Sequence, residues 1–366
     1  MIVRMSGPEA SNTPSQPDRA STQRLGAYLL PGRSSDPTVA IAQARAGEAL
    51  GLGSVWLSER FGAKDVATVG GALTQCTSSV TIGSAATHFQ PRHPLATASM
   101  ALTLQALSGG RFVLGIGRSI PLVWQSYGLP PATNRLLVDG LAIMRDLWAG
   151  EAVTYSGPLG DFRRIRLNDR PDVAPPPVVL TAIGPRSLEL AGRHFDGVLL
   201  HPFLTVDGQT RAVEIVRNAA ADAGRDAAAV RVYGMVVVAA DCSPEEVDLR
   251  VRARAVTYFN APGLAQQLVA ANGWELTHLD ELGRHPLVTA LDGRPADGGL
   301  QPSDLVELSH LFPQHWFTDG AAIGTAAECA TRLNDYLTAG ADEIVIHGST
   351  PELLAPVLDA FAAVPA

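Results

Sequence analysis

Ser108-Gly109-Gly110-Arg111-Phe112-Val113-Leu114-Gly115-Ile116-Gly117-Arg118-Ser119 reads as a turn, a buried strand and a glycine-rich exit. A long helical pattern precedes it, from about Pro94 to Leu107, and helical signals follow it at Asn134 to Trp148. A short apolar strand between two helices is one βα unit of a parallel sheet. The alternation continues outward in both directions. Upstream lie strand-like runs at Leu25 to Leu30, Ser54 to Ser58 and Val80 to Ala85; downstream lie Val178 to Ala182, Gly197 to Leu200, Val230 to Ala239 and Glu343 to Ile346. Eight strands with helical crossovers is the count of a closed (β/α)8 TIM barrel, whereas a doubly wound open sheet usually stops earlier.

The connections carry their own expectations. Asp36-Pro37 offers an N-cap and an N1 proline to a helix that turns Val39, Ala42, Ala46, Ala49 and Leu50 inward. The Pro/Gly-rich stretch Gly157 to Pro177 reads as a hairpin or lid. About 243–320 is too long for one crossover, so it is expected as an insertion between strand seven and strand eight, within a single domain spanning 25–366. Residues 1–24, rich in Ser, Pro, Asn and Asp, read as a disordered tail without the apolar core of a secretory signal.

Composition narrows the function. With 46% hydrophobic residues in 366, a sizeable core is expected. The formal net charge of −8 leaves no basic field for nucleic acid or an anionic membrane surface, and no apolar run is long enough to span a bilayer. Cys76, Cys242 and Cys329 are far apart and form no metal or disulfide pattern, so the chain reads as cytoplasmic and metal-free. Walker A, G-x-G-x-x-G after the first strand, G-x-S-x-G and H-E-x-x-H are all missing.

In a barrel, chemistry gathers where strands end. Ser58-Glu59-Arg60 closes strand two with a carboxylate and a guanidinium, either a site pair or a structural ion pair at the rim. Ala85-Ala86-Thr87-His88 follows strand three, and its small residues admit a flat ring close to the backbone. Gly117-Arg118 leaves strand four, and Ala182-Ile183-Gly184-Pro185-Arg186-Ser187 leaves strand five into a helix start. Both are anion cradles: glycines for close approach, guanidinium and hydroxyl donors, and free N–H groups at a helix N-terminus. His93 beside Pro94 reads as a supporting residue, and Trp124, Tyr127, Trp148 and Phe317 read as core.

Together with Leu25-Gly26-Ala27-Tyr28, Gly51 to Arg60, Arg92-His93-Pro94-Leu95 and Ala191-Gly192-Arg193, these motifs resemble the luciferase-like monooxygenase superfamily of flavin-dependent oxidoreductases. Glu59-Arg60, Arg118 and Val345-Ile346-His347-Gly348 are similar to an actinobacterial F420-dependent group within it. The resemblance implies an oxidoreductase, commonly a homodimer, that binds coenzyme F420 and a small-molecule substrate. It places the ring against a non-prolyl cis peptide at Ala85-Ala86, with Ser58, Thr87, Ala182 and Ile183 around the cofactor and its phosphate near Gly117, Arg118, Gly184, Arg186 and Ser187. FMN, in a monooxygenase, is the alternative, because luciferase-type enzymes hold FMN phosphate at the position of Arg118. A noncatalytic cofactor-binding protein is a further one. Arg60 stands where many relatives have a catalytic histidine. Arginine stays protonated, so it suits polarising an acceptor more than abstracting a proton, which leaves Glu59 and His88 as acid/base candidates.

Overall fold

The computed structural model describes residues 22–364. Of the expected tail, residues 1–21 lie outside these. The rest is tied down, since the Thr22 hydroxyl donates to the Gly51 carbonyl (3.1 Å) and Arg24 to that of Ala341 (3.2 Å).

The barrel strands are β1 (Leu25–Tyr28), β2 (Ser54–Leu57), β3 (Thr81–Ser84) and β4 (Phe112–Ile116). A hairpin of β5 (Val153–Gly157) and β6 (Gly160–Ile165) interrupts, and the barrel resumes with β7 (Val178–Ala182), β8 (Gly197–Leu200) and β9 (Arg231–Ala240). β11 (Glu343–His347) pairs with β9 on one side and β1 on the other, closing an eight-stranded parallel barrel. The TIM-barrel expectation therefore holds. The expected hairpin also exists, but it starts at Val153, ahead of the proline-rich stretch.

One strand escaped the sequence reading. β9 is ten residues long; its first part pairs with β8, and Val237 to Ala240 reach beyond β8. The short β10 (Ala321–Gly324) pairs with that overhang, so the insertion leads into an extra strand before the last βα unit.

Helix α1 (Val39–Ala49) shows why its inward face was misread. Asp36 does not cap it but accepts from Thr38 in a local turn (2.9 Å to N), and the helix begins at Val39. Ala40, Gln43, Ala44 and Gly47 face inward instead, because small residues let α1 approach the strands, and the Gln43 amide oxygen accepts from Leu30 N–H (2.8 Å). A buried polar residue with a backbone partner outcompetes an apolar residue with none. α2 (Val66–Cys76) is capped by Asp65, which accepts from Thr68 N–H at 2.7 Å, and α3 (Pro94–Leu107) by His93.

Inside the barrel, Trp56, Val113, Val179, Leu199, Tyr233, Met235 and Val345 form one packed plug. Gly83 is glycine because a Cβ there would lie 2.2 Å from the Trp56 ring. Below the plug, Ser54, Glu343 and Arg231 form a polar network at the N-terminal strand ends. Those groups brace the closed end, leaving the C-terminal ends for chemistry.

The turn before β3 is held by one carboxylate. Glu48 accepts from the N–H groups of Ser78 (2.7 Å), Ser79 (2.6 Å) and Val80 (3.1 Å). Partial burial opposes its charge, but these donors outweigh that and hold the carboxyl down at about 2. A carboxyl lowered from 4.5 contributes stability that is complete above pH 4.5 and lost as pH falls through about 2. The melting-temperature advantage of wild type over Glu48→Gln is expected to shrink across that window; an advantage independent of pH would contradict the account.

The helices α4 (Pro121–Ser126), α5 (Asn134–Ala149), α6 (Pro185–His194) and α7 (Val206–Asp222) follow, and residues 241–320 fold over the barrel as further helices, among them α8 (Ala253–Phe259) and α9 (Leu264–Asn272). Their aromatic core is dense: Trp274 stacks on Trp316 at 4.5 Å and Phe259 meets Phe312 at 4.7 Å. Trp124, Trp148 and Phe317 are buried as expected, but Tyr127 is exposed, edge-on to the equally exposed Phe61.

Candidate functional site

The floor of the open end is the backbone leaving β3. The Ala85-Ala86 peptide is cis, as the resemblance implied. Ala85 N–H donates to Leu57 O (2.8 Å), Glu59 N–H to Ala86 O (3.0 Å), Thr87 N–H to Gly115 O (2.9 Å) and Gly117 N–H to Thr87 O (2.8 Å). The floor is thereby laced to the exits of β2 and β4. Tyr28 at the end of β1 adds its hydroxyl, donating to Ala85 O at 3.3 Å, with Ser58 as a further hydroxyl partner. At Gly117 a Cβ would come to 3.0 Å from both the Ala86 methyl and the Thr181 hydroxyl, so a side chain here would crowd this wall.

Glu59 lies under this floor with its side chain fully enclosed. Arg92 grips both carboxylate oxygens, Thr87 donates its hydroxyl at 2.6 Å, and Val66 N–H approaches at 3.2 Å. Every lone-pair direction is committed, the geometry of a structural ion pair at the rim. The same network takes up the hydroxyl of Thr87, whose side chain is wholly buried beneath the floor. Arg60 turns away from Glu59 to Asp297 of the insertion (2.6 Å). Burial works against its charge, but Asp297 outweighs burial and raises its pKa.

His88 sits edge-on to Trp124 with Nδ1 2.8 Å from Gly117 O. A carbonyl only accepts, so Nδ1 carries the proton and Nε2 is left as an acceptor. Burial pushes its pKa down, with the Gly117 carbonyl opposing. Glu59, Arg60 and His88 thus have three separate partners and form no shared relay.

The two anion cradles converge. Arg118, leaving β4, donates from Nε to the Ser187 hydroxyl at 3.2 Å, from Nη1 to Ala132 O at 2.8 Å, and to Asn134. Ser187 lies in the first turn of the helix Pro185–His194, whose N-cap is Gly184. Burial lowers the Arg118 pKa, and no carboxylate lies within ion-pair distance among the described residues. The helix N-terminus offers less than expected, since Ser187 and Leu188 N–H groups both donate to Gly184 O. The side-chain donors there are Arg118, the Ser187 hydroxyl and the exposed Arg186. Ala182, Ile183 and Gly184 are buried behind them.

A second group lines the rest of the mouth. Lys64 is buried and its ammonium donates to Leu30 O and to Gly32 O (2.6 Å). Burial, then repulsion from Arg60 and Arg254, lowers its pKa to about 8. His347 ends β11 and packs on Tyr28 with ring centroids 4.5 Å apart. Burial first, then Arg254, His201, Lys64 and Arg60, hold its pKa well below the usual value. His201, after β8, stands edge-on to Tyr258 of α8 at 4.6 Å, and burial lowers it to about 4. Burial raises the Tyr28 pKa to about 12 and raises that of Tyr258 as well. Among the described residues no cluster could hold a metal ion.

Comparison with known proteins places this geometry. A family model described as luciferase-like monooxygenase matches residues 17–343. The chain belongs to the luciferase-like monooxygenase family. A relative in that family, the 5,10-methylenetetrahydromethanopterin reductase of Methanolobus tindarius, is 27% identical over 85% of this chain and 90% of its own. An F420-dependent hydroxymycolic acid dehydrogenase of Mycobacterium tuberculosis is 30% identical over 43% of this chain and 47% of its own. The solved coenzyme F420 dependent tetrahydromethanopterin reductase of Methanopyrus kandleri shares the fold, with a TM-score of 0.73 at 19% identity over 92% of this chain and 97% of its own.

For a luciferase-like oxidoreductase, strand ends two to five were the informative ones in the sequence. Tyr28, His201 and His347 stand at the ends of β1, β8 and β11, so the rule that chemistry gathers at strand ends, applied to every strand, points to them as well. Arg254 and Tyr258 had no such signal, because only the folding back of the insertion brings α8 over the barrel.

Proposed function

We propose that the protein is a coenzyme F420-dependent oxidoreductase acting on a small organic substrate. The observation that carries the reading is the Arg118–Ser187 pair, an uncompensated guanidinium and a hydroxyl beside a flat, side-chain-poor floor. That donor set fits a phosphorylated, ring-bearing cofactor, and relatives whose names specify F420 support the choice. When bound, the deazaflavin would supply two-electron hydride chemistry.

The chain's own residues do the rest. Arg118, Ser187 and Arg186 hold the phosphate, while Ala85, Ala86 and Gly117 admit the ring edge and exclude water beneath it. The Ser187 oxygen accepts from Arg118, so its own proton is free for the ligand. Glu59 is a positioning residue acting through Arg92 and Thr87. His88, neutral with Nε2 open, is the acid/base candidate, and Arg60 supplies positive charge at the rim. The insertion, read as part of one barrel domain, shields the mouth from water.

The phosphate assignment is tested by titrating F420 against a deazaflavin riboside lacking the side-chain phosphate. The phosphorylated cofactor is expected to bind at least about tenfold tighter, in line with a charge-assisted contact. Equal affinities would remove Arg118 and Ser187 from the cofactor site.

A further inference from the structure

The cofactor reading leaves the second group at the mouth without a task. Arg254 reaches in from α8; its side-chain partner is the Tyr258 hydroxyl, and no carboxylate lies within ion-pair distance of it among the described residues. A Cβ at Gly32 would lie 2.9 Å from its guanidinium, so the guanidinium presses against the loop after β1. Lys64 is bound by carbonyls rather than by a carboxylate. The nearby acid, Asp297, is taken by Arg60. With both histidines neutral, Arg60, Lys64 and Arg254 face one negative charge. A partly buried surplus of positive charge is unfavourable until an anion compensates it.

A second, independent observation points to a ligand. The His347 ring is 2% exposed and its Nδ1 has no hydrogen-bond partner among the described residues. Buried polar atoms are almost always partnered, so a buried Nδ1 without a partner leaves one hydrogen bond for a bound molecule to complete. The wall is continuous with the floor: Tyr28 touches Ala85 O and packs on His347, while Arg254 and His201 both act on His347 and both adjoin Tyr258.

We propose that this wall is the substrate subsite, that the substrate carries an anionic oxygen group, a phosphate or a carboxylate, held by Arg254, and that His347 Nδ1 bonds to the same molecule. The inference rests on the cofactor reading for its view that the adjoining floor is where the redox partner lies. It deepens that reading by giving the substrate a charge. The lowered Lys64 pKa agrees with it, since a bound anion would raise that value again.

The test is calorimetric titration of the full chain with inorganic phosphate and, separately, with succinate, each with and without saturating F420. Wild type is expected to bind one or both anions whether or not F420 is present, and which one binds assigns phosphate or carboxylate. Arg254→Gln should weaken binding about tenfold or more, and Arg254→Lys should recover part of it, as a point charge replaces a fork. F420 affinity should stay within about twofold in both variants, and unchanged melting temperatures exclude misfolding. Anion affinity unaffected by Arg254→Gln, anions displaced by F420, or no anion binding to wild type would each overturn the proposal. Failure of F420 to bind would sink the cofactor reading alone, because the anion titrations still read the subsite.

Discussion

Arg92→Met is expected to destabilise the protein by about 3–5 kcal/mol, because it strands the enclosed Glu59 carboxylate without its counter-charge. The reverse change, Glu59→Gln, should cost less. Arg92 keeps Asp65 at 2.9 Å and is partly solvated, so the group left behind is better supported. The double variant Glu59→Gln/Arg92→Met should recover much of the single Arg92→Met loss, since no buried charge then remains. Denaturant unfolding of the three variants measures this coupling. A Glu59→Gln protein with wild-type stability and no redox activity would instead make Glu59 the proton donor or acceptor.

Arg118→Ala is expected to weaken F420 binding by at least about tenfold and up to about a hundredfold, the range for losing a charge-assisted hydrogen bond to an anion. Arg118→Lys should fall between, because an ammonium keeps the charge but not the fork that spans Ser187, Ala132 and Asn134. Ser187→Ala should have the smallest effect of the three. Fluorescence titration of F420 into each variant measures these differences, with melting temperature as the control for folding. An Arg118→Ala protein that binds F420 as wild type does would place the phosphate elsewhere.

The barrel was legible because most of its strands are short apolar runs, a pattern set by burial on both faces. β10 was not. Ala321–Gly324 is brief and takes its place only because β9 outruns β8, a consequence of length in another segment. The inward face of α1 was misread for a related reason. Gln43 turns inward to satisfy Leu30 N–H, and that need arises from a loop conformation the sequence does not announce. At the site, the chemistry of Arg118 and Ser187 was visible residue by residue, while their meeting at 3.2 Å across two βα units was a product of closure. Glu59 presented the opposite case. Its two readings differ in what surrounds the carboxylate, and Arg92, distant in sequence, supplies the partner that the ion-pair reading needs.

Side-by-side binding of oxidised F420 and FMN to the purified full chain tests the central claim most directly, read from the fluorescence of each cofactor. Saturable binding of F420 with FMN at least about tenfold weaker is the expected result. Tight FMN binding with no measurable F420 binding would contradict it and return the protein to the flavin monooxygenase reading.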